Sequence, residues 1–183
     1  MKRLLGEVVK SSTSPLHRFT DSPNKSLTSE SLFSGFCPFI IALFVFILDQ
    51  FTKYLVKSYV SPHEIIRVLS FFNIVYVENI GSAFGMFKSL GNIFFIIVAI
   101  LAVVFVSIFI IKDEGNRLGF SLILGGAIGN LTDRIVHGYV IDFLDFYVGR
   151  LHWPAFNIAD SALTVGIFIL MINLLKGTTS LKA

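Results

Sequence analysis

The chain has 183 residues, of which 54% are hydrophobic and only 15% charged, and its mean hydropathy is +0.77. A water-soluble domain carries more charge than this, so the composition describes an integral membrane protein. The formal charge of +3 has its basic excess mostly in the N-terminal tail, which leaves no nucleic-acid footprint. The single cysteine, Cys37, excludes an internal disulfide and a Cys-rich metal centre.

Residues 1–34 differ from the rest. The stretch SSTSPLHRFTDSPNKSLTSES is polar and without periodicity, and reads as a disordered cytoplasmic tail. MKRLLGEVVK has no long apolar region, so a cleavable signal peptide is not expected.

Four apolar segments follow, with spans expected over about 35–56, 90–111, 118–136 and 155–175. FCPFIIALFVFIL (36–48) is too short, at about 1.5 Å per residue, for a hydrocarbon core of about 30 Å. The first helix must therefore continue through DQFTKYLV, which puts Asp49 near one membrane face. Between the first two spans, IIRVLSFFNIVYVEN (65–79) is rich in β-branched and aromatic residues and reads as strands. LGNIFFIIVAILAVVFVSIFII (90–111) has no charge and is the clearest span. LGFSLILGGAIGNLTDRIV (118–136) has Gly125 and Gly129 at the spacing that lets helices approach closely, and ends with Asn130, Asp133 and Arg134. Residues 177–183 form a short C-terminal tail.

An even number of spans puts both termini on one side. Lys2, Arg3, Lys10, Arg18, Lys25, Lys112, Arg117, Lys176 and Lys182 all fall there, which makes that side cytoplasmic. Every tyrosine, and Trp153, falls in or beside the opposite-side segments 54–89 and 137–155. These residues favour the membrane–water boundary. A small sheet on the outer membrane surface is expected there, capping the bundle. The fold class is thus membrane all-α with a small β element.

The acids at membrane depth gather toward the outer side: Asp49, Asp133, Asp142, Asp145 and Asp160. Asn157, Asp160, Ser161 and Thr164 stand at i, i+3, i+4 and i+7, one face of a helix, which must look into the bundle. That stripe faces Asn130, Asp133 and Arg134. Asp49 and Lys53 form an i,i+4 acid–base pair. One reading is structural: a buried Asp–Arg pair and hydrogen-bonded asparagines. It explains Asp142 and Asp160 less well, because Lys53 and Arg134 are too few to neutralise four acids. Two carboxylates without a cation each share a proton, as in an aspartic peptidase. A proton relay in a small transporter or channel subunit, or a non-catalytic scaffold, remains open at this point. The four histidines show no metal-ligand spacing and read as ordinary loop or interfacial residues.

DQFTK (49–53), VENIGSAFG (77–85), GGAIGNLTDR (125–134), VIDFLDF (140–146) and FNIADSALTVG (156–166) stand in series between spans of the right kind. In this the chain resembles signal peptidase II, the lipoprotein signal peptidase family of bacteria, over about residues 36–176. The resemblance implies four transmembrane helices under a β-sheet cradle, in the bacterial cytoplasmic (inner) membrane, with the active site toward the outer face. It implies cleavage of prolipoproteins before a diacylglyceryl-modified cysteine, without metal or cofactor. The implied partners are lipidated prolipoproteins and membrane lipid, with the protein a monomer. The family's catalytic aspartates match Asp142 and Asp160. Its supporting residues match Asp49, Lys53, Asn79, Asn130, Asp133, Arg134 and Asn157. Gly81, beside Asn79, is expected to cover the substrate or hold its backbone. The acyl chains are expected to lie on the apolar outsides of the helices, without a dedicated pocket. The 34-residue leader departs from the compact family pattern.

Asp142 and Asp145 are distinguished by backbone. If YVIDFLDFYV is extended, the two acids point to opposite faces. The family motif selects Asp142 to face Asp160, with Asp145 toward the outer polar boundary. A helix would bring both acids to one face, so an extended or irregular backbone is expected here.

Overall fold

A computed structural model describes residues 29–81 and 91–180. The tail up to residue 28, and residues 82–90 with the end of the VENIGSAFG motif, lie outside the described residues. The element order is α1 (Ser29–Tyr59), β1 (Ile65–Leu69), β2 (Phe72–Asn79), α2 (Gly91–Lys112), a short 3-10 turn (Glu114–Asn116), α3 (Arg117–Val136), β3 (Val140–Val148), β4 (Leu151–His152) and α4 (Ile158–Ser180). The helix α1 begins ahead of the expected start at 35. The strand expectation for 65–79 resolves into β1 and β2, with the break at Ser70 and Phe71.

Among the described residues, three helices are long and apolar enough to cross a membrane: Phe36–Tyr59, Gly91–Lys112 and Ile158–Lys176. Their apolar side chains point outward; Phe44, Ile93, Leu101 and Leu174 are all more than 60% exposed. Apolar surface on that scale is not left to water. The expected third span, α3, does not meet the same criterion. It packs against all three other helices and buries most of its length, including Asn130 and Asp133. Its polar residues therefore face protein.

Close approach is what the glycines of α3 allow. A Cβ on Gly125 would lie 2.5 Å from the carbonyl oxygen of Ala42 in α1. One on Gly129 would lie 2.6 Å from Asp49 Oδ2. The GxxxG edge thus seats α3 on α1, as its spacing predicts.

The strands form one antiparallel sheet in the order β1-β2-β3-β4. In the β2–β3 ladder Val77 opposes Asp142 and Asn79 opposes Val140, with a bulge between Ile74 and Val77. Under the sheet Val56, Val60 and Phe143 pack with Ile74, Leu144 and Ile158. Toward the other end of the bundle Ala42, Val106, Ile110, Phe120, Ile123 and Leu124 form a second cluster. Between the two lies a layer of buried polar side chains.

Candidate active site

β3 delivers Asp142. Its extended backbone sends alternate side chains to opposite faces, so Asp142 and Asp145 diverge. Asp142 is buried and accepts hydrogen bonds from Asn79 Nδ2 (2.8 Å) and Asn157 Nδ2 (2.7 Å). Asn79 comes from the end of β2, one turn of chain before Gly81, whose N–H donates to Asn79 Oδ1 (3.1 Å).

The first turn of α4 delivers Asp160. Asn157 is not on the helix, as the i, i+3, i+4 stripe implied, but caps it. Asn157 Oδ1 accepts from the Asp160 N–H (2.9 Å), while the Asn157 N–H donates to Asp160 Oδ2 (3.4 Å). The Asn157 carbonyl takes the first intrahelical bond, from the Ser161 N–H (3.1 Å). This reciprocal pair satisfies N–H groups that a helix start leaves open. It also fixes the Asp160 side chain. Asn130 Nδ2, from α3, donates to Asp160 Oδ1 (2.7 Å).

The two carboxylates line one cavity of about 780 Å³ with Asn79, Gly81, Asn130 and Arg134. Its lower walls are apolar: Phe95, Val98, Ala99 and Ala102 of α2, and Leu163 and Val165 of α4. Trp153, Pro154 and Phe156, between β4 and α4, line it too. The chain thus holds a pocket continuous with the acids, which the sequence did not foretell. Asparagines, not cations, hold both acids. Burial, and then the neighbouring Asp160 carboxylate, push the Asp142 carboxyl up to about 7.

The cations are engaged elsewhere or differently. Lys53, 2% exposed, binds Asp49 Oδ2 (2.8 Å) and Asp133 Oδ2 (2.9 Å), and donates to Asn130 Oδ1 (3.0 Å). The i,i+4 pair is therefore present, but Asp133 pairs with Lys53 and not with its neighbour Arg134. A helix sends adjacent side chains about 100° apart, so Arg134 turns to the cavity wall. There its guanidinium lies 5.3 Å from the centre of the Phe95 ring, and Nη1 donates to the Asn130 carbonyl (3.3 Å).

Asp145 does not face a polar boundary. It is 5% exposed, accepts from Asn73 Nδ2 (2.8 Å) and lies 2.8 and 3.1 Å from His152 Nδ1. The hairpin of β3 and β4 folds His152 back over it, stacked on Tyr147. Sequence reasoning also missed Gln50. Its Nε2 lies within 3.2 Å of Asp49 Oδ2 and of the Gly129 carbonyl, and 3.0 Å from Asp133 Oδ1. The Asn-x-x-Asp spacing ahead of an apolar run was a visible sign of the cap; Gln50 stood inside the DQFTK stretch, but nothing there gave it a role.

Membrane-crossing helices that carry a small sheet, with one buried and one half-buried acid over a shared cavity, define a multi-pass membrane enzyme. The profile of the family described as Signal peptidase (SPase) II matches residues 41–176, and the chain belongs to that family. The lipoprotein signal peptidase of Thermodesulfovibrio yellowstonii is 50% identical over 137 residues, 74% of this chain and 93% of the relative. That of Alteromonas mediterranea is 46% identical over 143 residues, 74% of this chain and 79% of the relative. A bacterial membrane enzyme solved by the in meso method at 2.3 Å resolution is similar in structure, with a TM-score of 0.73 and 37% identity over 78% of this chain and 90% of that one. A second, at 1.9 Å resolution, has a TM-score of 0.69 and 37% identity over 76% of this chain and 92% of the other.

Proposed function

We propose that the chain is a signal peptidase that removes signal peptides from diacylglyceryl-modified prolipoproteins, cutting before the lipidated cysteine with Asp142 and Asp160 as its catalytic pair. The observation that carries this reading is the pair itself: a buried carboxylate, Asp142, and a half-buried one, Asp160, from different elements, open to one cavity, each held by asparagine amides. Burial and the neighbouring Asp160 carboxylate let Asp142 keep its proton near neutral pH, against the pull of the asparagine amides, and its partner serves as the base.

The chemistry then runs through a water between the two acids. Asp160 takes a proton from the water as its oxygen attacks the scissile carbonyl carbon. Asp142 gives its proton to the carbonyl oxygen, so the tetrahedral intermediate is a neutral diol. The proton on Asp160 then passes to the leaving amide nitrogen. The C–N bond breaks, and a hydroxyl proton of the diol returns to Asp142. Both acids finish as they began. Asn79, Asn130 and Asn157 orient the carboxylates. Arg134 and Gly81, on the cavity wall, hold the substrate backbone, and the apolar lower cavity receives its hydrocarbon. Asp49, Lys53 and Asp133 support the pair from behind.

The membrane arrangement we propose is four spans, with α3 as the third. Its 20 residues reach about 30 Å. Its polar groups are tolerated because three helices surround it. Residues 35–176 form the peptidase domain of a monomer in the bacterial inner membrane. Both termini are cytoplasmic, and the sheet lies on the outer face. Incubating the purified protein with a lipidated precursor, followed by mass analysis, tests the activity. A product beginning at the lipidated cysteine is the expected result. An intact precursor, together with proton flux in liposomes, would replace the peptidase with a transporter.

A further inference from the structure

Behind the proposed catalytic pair, two other aspartates make matching contacts. Asp133 Oδ2 accepts a hydrogen bond from the Ile141 N–H (3.1 Å), the amide just before Asp142. Asp49 Oδ1 accepts one from the Ala159 N–H (2.9 Å), the amide just before Asp160. Each gripped backbone amide thus lies one residue upstream of a reacting acid. The two gripping acids are tied to each other twice. Lys53 Nζ bridges Asp49 Oδ2 and Asp133 Oδ2 at 2.8 and 2.9 Å. Gln50 Nε2 bridges Asp49 Oδ2 and Asp133 Oδ1 at 3.2 and 3.0 Å.

We infer that Asp49 and Asp133, cross-linked by Lys53 and Gln50, form a two-armed clamp that sets the spacing of Asp142 and Asp160, and that Gln50 is a positioning residue of the reaction. This deepens the peptidase reading and rests on it. β3 and the start of α4 belong to different elements. The fold must hold them in register to well under an ångström for a shared proton and a positioned water. Asp49, Lys53 and Asp133 are each no more than 2% exposed. A cluster so dry is costly to assemble and weak evidence of stabilisation by itself. Its ends are what point to positioning, since both arms finish on the backbone beside a reacting acid. Asp49 cannot drift without opening the Ala159 bond, nor Asp133 without opening the Ile141 bond.

The test measures kcat and KM on a lipidated precursor peptide, with thermal unfolding of each variant, for Asp49→Ala, Asp133→Ala and the double variant. None of these side chains lines the cavity, so KM should stay within about twofold while kcat falls about 100-fold in each single variant, the scale of a 1 Å misplacement. Catalysis needs both acids in place, so the double variant should be no slower than the worse single one, even as the losses of thermal stability accumulate. Asp133→Asn should recover at least about tenfold over Asp133→Ala. Its amide oxygen still accepts from Ile141 and Lys53, and Gln50 can turn its own oxygen to the new NH₂. Gln50 is only partly buried and uncharged, so Gln50→Leu is the variant that folds even if truncating the buried acids prevents folding. It should lose about fivefold in kcat, with KM unchanged. Unchanged kcat in Gln50→Leu, KM rising in step with the loss, or kcat losses that multiply in the double variant would overturn the clamp. Asp142→Asn and Asp160→Asn are run alongside. Activity in either would overturn the catalytic pair itself, which separates the two failures.

Discussion

Gly126 faces α4 where Asp160 is mounted. A Cβ built there lies 2.5 Å from the Ala159 carbonyl oxygen and 3.0 Å from Leu163 Cγ. A carbon and a carbonyl oxygen settle at about 3.3 Å even in close contact, so Gly126→Ala must move the first turn of α4 by about 0.8 Å. Leu163 can rotate away; the Ala159 carbonyl is backbone and cannot. The displaced residue precedes Asp160, and its N–H is the one held by Asp49. A shift near 1 Å at a reacting group costs about 100-fold, so kcat should fall about 30- to 100-fold. Overpacking should also lower stability by about 1–3 kcal/mol. The assay is the initial rate of signal-peptide release from a lipidated precursor, at matched folded protein. The control is Gly115→Ala, where the nearest atom to a new Cβ is Asp113 Oδ1 at 3.7 Å; it should keep its rate within about twofold. If Gly126→Ala cleaves within threefold of the unsubstituted protein, the spacing between α3 and α4 does not govern the chemistry.

Asp142→Asn and Asp160→Asn should each lower cleavage at least about 1,000-fold, without adding in the double variant, because the two carboxyls act as one unit; precursor cleavage by purified protein measures it. The pH–rate profile should have its alkaline limb near pH 7. Asp142 is held at about 7, above the usual carboxylate range, so its proton persists as pH rises to that value and is lost beyond it. An alkaline limb above pH 9 would remove Asp142 as the proton donor. Asp145→Asn should keep most activity, since its partners are Asn73 and His152 on the face away from the cavity; a rate as low as that of Asp142→Asn, measured side by side, would reverse the assignment. Treatment with EDTA should leave cleavage unchanged, and restoration of a lost rate by a divalent ion would overturn a metal-free mechanism.

The helices were legible because lipid-facing surfaces impose a long uninterrupted apolar run, and α2 has no charge from Gly91 to Ile111. The backbone of 140–146 was legible only through the expectation that one of its two acids reaches the site, since an extended chain splits an acid pair three residues apart between faces and a helix does not. The status of α3 was harder to read. Its glycines and polar end lower its hydropathy, so sequence alone cannot separate a span wrapped in protein from a helix at the membrane surface. What distinguishes them is how the other three helices surround it, and that depends on pairings between distant residues.

The same limit explains the polar layer. The acids, asparagines and Lys53 were individually conspicuous, because each is expensive in an apolar stretch. Which one meets which was not written locally. Asp133 and Arg134 are neighbours in sequence, yet the 100° step of the helix gives Asp133 to Lys53 and turns Arg134 to Phe95. Asp145 looked free for a polar surface because the two-residue strand β4, too short to leave a pattern, is what returns His152 to cover it. Gln50 is the sharpest case. A glutamine in a helix is ordinary, and its value comes only from lying between two carboxylates, one adjacent in sequence and one 83 positions away. Residue types announce a polar site within a membrane protein, while the geometry that opens two of its acids to one cavity and ties the others to Lys53, His152 and backbone amides arises from tertiary hydrogen bonds.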